Sequence, residues 1–277
     1  MPIFNSAPGA NRSRIWWRVI PVLLALGVAG YQFLGAPQFT NPETGRTARL
    51  GLSEQQETAL GAQGFRQVVS QSKVVSSGPA YDQVVRVSKR LAEAMKDTVN
   101  LDWQVAVIDE PQQNAFCLPG GKICVYTGIL PVTKTDDGLA VVLGHEMAHA
   151  TCHHGAERVL KQNMTQTAMV GVQGSIGDLD YGSQRALMGL IGAGAQYGVL
   201  LPFSRAHESE ADLVGLKYMA RAGYDPREAV AFWTRMASSG GDKQPEFMST
   251  HPLHETRIRQ IEAWLPEVMK EQKTVEP

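Results

Sequence analysis

Residues 145–149 read His-Glu-Met-Ala-His, and they commit their surroundings to one kind of structure. In a helix, positions i and i+4 lie one turn apart on a single face, so the imidazoles of His145 and His149 can reach the same metal ion. Glu146 then stands beside the open coordination position, where it can take a proton from a metal-bound water. Alone, the five residues form a two-ligand pattern that an ordinary helix surface also produces. The flanking sequence favours the metal. Thr135-Asp136-Asp137 supplies an N-cap and first-turn acids, and Leu139, Val142, Leu143, Met147 and Ala150 recur at helical spacing. This predicts a helix from about Asp136 past His153, with an apolar stripe facing the core. Neutral imidazoles buried on such a helix are costly without a partner, and a metal ion suits both.

A catalytic zinc takes three protein ligands and leaves one position open. Downstream, Glu208 and Asp212 stand four residues apart and share a helix face. Glu208 is the candidate third ligand, and Asp212 the candidate acceptor for the ring N–H of a liganding histidine, a bond that fixes the tautomer. Glu210 points elsewhere on the helix and is the nearest competitor. Taken by itself the segment also reads as an exposed acidic helix start. Thr250-His251-Pro252 is loop-like, because the residue before proline avoids helical angles. His251 is a candidate either for donating to the oxyanion or for capping the metal in a resting state, with a surface histidine as the plain alternative. Arg257, at the expected start of a helix, is a candidate to pair with an active-site carboxylate, with a surface residue as the plain alternative. His153, His154, His207 and His254 are read as solvated or structural. His153 is the one competitor among them, since it continues the i+4 ladder from His149.

Four blocks stand in order along the chain: Asn114-Ala115-Phe116-Cys117-Leu118-Pro119-Gly120-Gly121, the His145–His149 pentapeptide, Glu208-Ser209-Glu210-Ala211-Asp212, and Thr250-His251-Pro252-Leu253-His254 leading to Arg257-Ile258. In that order they resemble the gluzincin metallopeptidase family that includes the CAAX prenyl proteases and the bacterial HtpX-like heat-shock proteases. The resemblance covers most of residues 50–265. It implies one Zn2+ per chain held by His145, His149 and Glu208, with Glu146 as general base and later proton donor and Asp212 orienting a histidine. It also implies a sheet edge that binds substrate as an added strand beside the metal helix. Val105–Ile108 and Ile123–Tyr126 are strand-like, with Asn114–Leu118 between them, so this region is expected to line the cleft; a purely structural hairpin is the alternative. The expected class is α+β, predominantly helical, a zincin-like metallopeptidase domain with a small β-sheet beside the HExxH helix. The expected activity is a zinc-dependent endopeptidase that cleaves misfolded or unassembled envelope proteins. A chaperone-like or regulatory factor with a latent metal site, plugged by His251, is the second reading. A zinc hydrolase with a cysteine ligand, in the manner of peptide deformylases, is the third, and the Glu208–Asp212 pair argues against it.

The N-terminus gives the chain a place to act. Arg12, Arg14 and Arg18 precede the apolar run Val19–Tyr31, and Ile15–Leu34 is just long enough to span a bilayer. An uncleaved anchor is preferred over a signal peptide, for which Val28-Ala29-Gly30 would be the cleavage site. Either reading leaves the arginines in the cytoplasm and places the rest across the membrane. The expectation is a bacterial cell envelope, with the catalytic domain on the periplasmic side or exported to the periplasm. The expected organisation is anchor or signal peptide at 1–35, turn-rich linker at 36–50, metallopeptidase domain at 51–270 and tail at 271–277. A chain of 277 residues with 43% hydrophobic content supports one substantial core, and a net charge of −1 gives no electrostatic case for nucleic acid. The expected partners are unfolded or misassembled proteins and the membrane, and the oligomeric state is left open.

Three local expectations remain. If Gly120-Gly121 is a two-residue loop, Cys117 and Cys124 face each other at a hydrogen-bonded position, too wide to favour a bridge. Two small buried hydrophobes are therefore preferred over a disulfide, and Cys152 is assigned to the core. Met164–Leu201 is long, apolar and glycine-rich, and a helical hairpin over the metal helix is preferred over a second membrane span. Near the C-terminus, Asp225-Pro226-Arg227-Glu228 reads as a cap before the amphipathic Ala229–Ala237, and another helix is expected from about Glu255 to Lys270.

Overall fold

A computed structural model describes residues 10–177, 180–185, 188–189, 204–238, 246–251 and 256–273. In chain order the elements are α1 (Ala10–Gly35), β1 (Gln38–Thr40), β2 (Thr47–Arg49), α2 (Glu54–Gln71), β3 (Val74–Val75), α3 (Pro79–Ala94), β4 (Gln104–Ile108), β5 (Ala115–Leu118) and β6 (Lys122–Tyr126). A single 3-10 turn leads into α4 (Leu130–Thr133), followed by α5 (Asp136–Thr151), α6 (His154–Ser175), α7 (Arg205–Arg221), α8 (Glu228–Ser238), α9 (Glu246–Thr250) and α10 (Arg257–Lys273). This is the predominantly helical α+β class expected from the sequence, and the chain divides into two compact units.

One unit comprises Met1–Gln38, Arg49–Gly51 and Glu157–Leu201. Within it, α1 lies against the second half of α6, where Gly171 and Gly174 lack the side chains that would strike Ala25 and Pro21. Trp16–Gly35 of α1 is long and apolar enough to cross a membrane, and Trp17, Leu23, Leu24 and Leu34 stand exposed along it. Met164–Ser175 continues the same helix as His154, while the remainder of the hairpin expected at Met164–Leu201 lies largely outside the described residues.

The other unit is built around α5. Thr135 caps it by accepting the Gly138 N–H, as the Thr-Asp-Asp start predicts. Instead of one apolar stripe, every residue from Gly138 to His149 is buried, because α3, α4, α7, α8 and β5 all pack against it. The expected extension past His153 is also corrected. The helix ends at Thr151, and His153 adopts a left-handed φ of 55° that breaks the chain into α6. Helices α5 and α7 meet backbone to backbone at Gly144 and Gly215: a Cβ on Gly215 would lie 2.9 Å from Gly144 C and from His145 N. Beside them the sheet runs β3-β4-β6-β5, with β4 and β6 parallel and the other pairs antiparallel, so β5 is an edge. Ile123, Val125, Leu139, Leu143, Met147, Phe232, Trp233 and Phe247 interlock sheet and helices in one core.

The β5–β6 turn differs from the two-residue expectation. Cys117 pairs with Ile123 and Phe116 with Cys124, which leaves residues 119–121 in the loop. Gly120 and Gly121 hold φ of 72° and 82°, a region open to glycine. The extra loop residue shifts the register by one, so the two cysteines are not partners, and Cys117, Cys124 and Cys152 are all free thiols.

Candidate metal centre

The buried face of α5 presents His145 and His149 one turn apart, and α7 crosses it so that Glu208 faces both rings. The turn after α9 brings His251 to the same point. Their donor atoms form a small polyhedron. His145 Nε2 lies 3.1 Å from His149 Nε2 and 3.1 Å from His251 Nδ1. Glu208 oxygens lie 3.4 Å from each of His145 Nε2 and His149 Nε2, and 3.1 Å from His251 Nδ1. A tetrahedral zinc with bonds near 2.0 Å separates its ligand atoms by about 3.3 Å. The spacing therefore fits one such ion, with His251 on the fourth corner. A cation in the gap would satisfy the ring nitrogens and the carboxylate together in this buried site. The donor set, nitrogen and carboxylate oxygen, is also the one zinc prefers.

Electrostatics follow from burial and contact. Burial raises the Glu208 pKa, but the close contacts with the His145, His149 and His251 rings more than offset it, and the group titrates far below the usual carboxylate range. Glu146 is on the same helix, its Oε1 3.2 Å from His251 Nε2. Burial dominates there and pushes its pKa up to about 7, although the His251 charge and the Cys117 backbone N–H oppose the shift. A carboxylate with weak stabilisation beside the fourth corner is suited to accept a proton near neutral pH.

The His145 ring is held from behind. Its Nδ1–H donates to Asp212 Oδ1 at 3.0 Å. Asp212 in turn receives Arg257 Nε at 2.6 Å and Nη2 at 2.8 Å, a two-pronged pair, while the guanidinium lies 3.6 Å over the Trp233 ring. Arg257 Nη1 also reaches Glu208 Oε2 at 3.2 Å. His153 is turned away from the centre and meets Glu57 Oε2 at 2.6 Å. His207 stacks on His154 at 4.3 Å, and both are buried rather than solvated. His254 lies outside the described residues. Sequence reasoning missed two groups behind the centre, Trp233 and the Glu210–His154 pair. Trp233 sits in an unremarkable amphipathic helix, and His154 reaches His149 only because the chain breaks at His153.

A helical α+β domain with a buried His-Glu-x-x-His helix, a facing glutamate and one zinc-sized gap defines a zincin-like metallopeptidase. The model of peptidase family M48 matches residues 81–265, and the chain belongs to that family, whose metal is zinc. Among its relatives is the mitochondrial metalloendopeptidase OMA1 of Schizosaccharomyces pombe, 39% identical over 79% of this chain and 64% of that protein. The human mitochondrial metalloendopeptidase OMA1 is 30% identical over 92% of this chain and 51% of its own length. The β-barrel assembly-enhancing protease of Escherichia coli is 27% identical over 79% of this chain and 46% of its own length. The chain thus spans about half to two thirds of these relatives.

Proposed function

We propose that this chain is a zinc metalloendopeptidase that cleaves misfolded or unassembled proteins at a membrane. The observation that carries the reading is the tetrahedral spacing of His145, His149 and Glu208 with Glu146 beside the remaining corner. Bound there, zinc supplies a Lewis acid that polarises the scissile carbonyl. Glu146 takes the proton of the attacking water and delivers it to the leaving amine. Asp212, braced by Arg257, keeps the His145 ring in register. The β5 edge accepts the substrate as an added strand along Asn114–Leu118, and main-chain pairing of this kind gives affinity without a narrow sequence preference. Helix α1 tethers the protein, and its leading arginines orient the catalytic unit to the far side of the membrane. A bacterial envelope, with the enzyme on the periplasmic face and unassembled envelope proteins as clients, is the setting we favour. The E. coli relative, named for β-barrel assembly, supports it.

A second reading is a client-binding factor whose metal site is latent. The position of His251 on the fourth corner favours it. The test separates the two: Glu146→Gln should retain one zinc per chain and lose cleavage of an unfolded substrate such as casein. Full cleavage by that variant would sink the mechanism. A wild-type protein that binds zinc, cleaves nothing and suppresses client aggregation would establish the second reading instead.

A further inference from the structure

The His149 ring has a longer chain of support than the His145 ring. His149 Nδ1 lies 3.0 Å from Nδ1 of His154, the first residue of α6. His154 is fully buried, and its Nε2 is 2.9 Å from Glu210 Oε2. Glu210 is gripped by the loop that joins β1 and β2. Asn41 Nδ2 and Thr44 Oγ1 donate to Oε1 at 2.8 and 2.6 Å, and Arg46 Nε donates to Oε2. Residues 41–46 thus form a loop bound to the interior of the unit built around α5.

These contacts assign the protons. An ionised carboxylate only accepts, with about four lone-pair sites, and Glu210 fills them with Asn41, Thr44, Arg46 and His154. His154 Nε2 must therefore carry hydrogen. One hydrogen bridges the two facing Nδ1 atoms. If it belonged to His154, the His149 proton would sit on Nε2 and point into the gap, closing it to a metal. It therefore belongs to His149, whose Nε2 lone pair faces His145 Nε2 at 3.1 Å.

The same residues invite another interpretation, because Cys152, His154 and Glu210 offer ligand atoms within 4.8 Å of one another. A second ion is disfavoured. Glu210 has no lone pair to spare, Asn41 Nδ2 also donates to Cys152 Sγ at 3.0 Å, and the Arg46 guanidinium puts a positive charge where a cation would have to sit.

We propose that the 41–46 loop, acting through Glu210 and His154, positions the His149 imidazole and locks its metal-binding tautomer. The loop lies outside the 81–265 family match, so this support extends beyond the matched domain. Arg46, Glu210 and His154 are positioning residues that touch no substrate. The inference rests on zinc being held by His145, His149 and Glu208.

The test uses the full chain in mild detergent. Zinc affinity is read by chelator competition, and ring protonation in the metal-free protein by long-range proton–nitrogen NMR of the imidazoles. Wild type should bind one zinc, with hydrogen on Nδ1 of His149 and on Nε2 of His154. His154→Phe should weaken zinc binding about 10–100-fold, the range seen when such outer partners are lost. His154→Asn, whose Oδ1 stands where Nδ1 stood but which is too short to reach Glu210, should recover only part of that loss. Arg46→Ala, which leaves His154 in place, should weaken zinc in the same direction and decides the matter if His154→Phe does not fold. Unchanged zinc affinity in folded His154→Phe or Arg46→Ala overturns the proposal, as does an Nε2–H tautomer at His149. Two zinc ions in wild type, falling to one in Cys152→Ala, overturns it in favour of a second metal site. Wild type without zinc overturns both this proposal and the reading of the metal centre.

Discussion

Substituting Gly215 by alanine tests whether the close approach of α5 and α7 sets the metal geometry. In an ordinary helix this change stabilises by about 1 kcal/mol. Here the new Cβ would sit 2.9 Å from Gly144 C and His145 N, and 3.1 Å from Gly144 O, all backbone atoms that have no rotamer to escape into. Relaxing 2.9 Å to the roughly 3.5 Å of an optimal contact requires the helices to part by about 0.6 Å. Overpacking of this kind costs about 1–3 kcal/mol, so the expected net loss is up to about 2 kcal/mol. For a domain of this size that lowers Tm by roughly 2–8 °C. The metal should be hit harder than the fold. Zinc–ligand distances tolerate about 0.2 Å, whereas Glu208 rides on the displaced helix and both histidines on the other. Gly215→Ala should therefore reduce zinc affinity at least tenfold in chelator competition, with a smaller fall in the metal-free Tm. Gly155→Ala is the control, since its Cβ meets Pro119 Cγ at an ordinary 3.6 Å. If Gly215→Ala raises Tm and leaves zinc binding at wild-type strength, the helix contact does not govern the site.

Removing the cation from behind the centre should be severe: Arg257→Leu leaves the Asp212 charge buried and uncompensated, at a cost of about 3–5 kcal/mol in urea unfolding, and a loss below about 1 kcal/mol would contradict the geometry. His251→Ala should keep one zinc per chain and speed the initial cleavage of casein, because the fourth corner is vacated; a slower rate would point to the oxyanion role instead. Acid should act through Glu43. Burial alone raises its pKa, but the hydrogen bonds and charges of Arg221 and Lys217 more than offset this and lower it. A depressed carboxylate stabilises the fold above its unfolded value and loses that contribution as pH falls through the folded one. The Tm advantage of wild type over Glu43→Gln should therefore be full at pH 7 and shrink below the ordinary glutamate value, about 4.3. An advantage that does not change with pH would refute this.

Much of the centre was legible because its spacing is local. His145 with His149, and Glu208 with Asp212, each need only the i, i+4 geometry of one helix, and that geometry is written in adjacent residues. What escaped depends on chain reversals. His154 is five residues past His149, so an uninterrupted helix would carry it about 140° around the axis; the left-handed His153 brings it back beneath the His149 ring. Strands β1 and β2 have three residues each, too few to display a period-2 pattern. The Cys117 and Cys124 positions turned on a single extra loop residue, and a one-residue slip in register moves every cross-strand pair. The sequence of the fully buried α5 resembles that of a half-buried helix, because the glycine and alanine on its far side look like a surface while accommodating α7 at backbone distance.

Two of the helices that supply donors to the metal centre are distant in sequence: 58 residues separate His149 from Glu208. If zinc joins them as proposed, the ion is also a removable cross-link. Closing a loop of that length withdraws about 4 kcal/mol of chain entropy from the unfolded state on the disulfide scale. A molecule that loses its ion gives up that tether together with its activity. The centre would then hold the fold as well as the chemistry, and loss of the ion would cost both together.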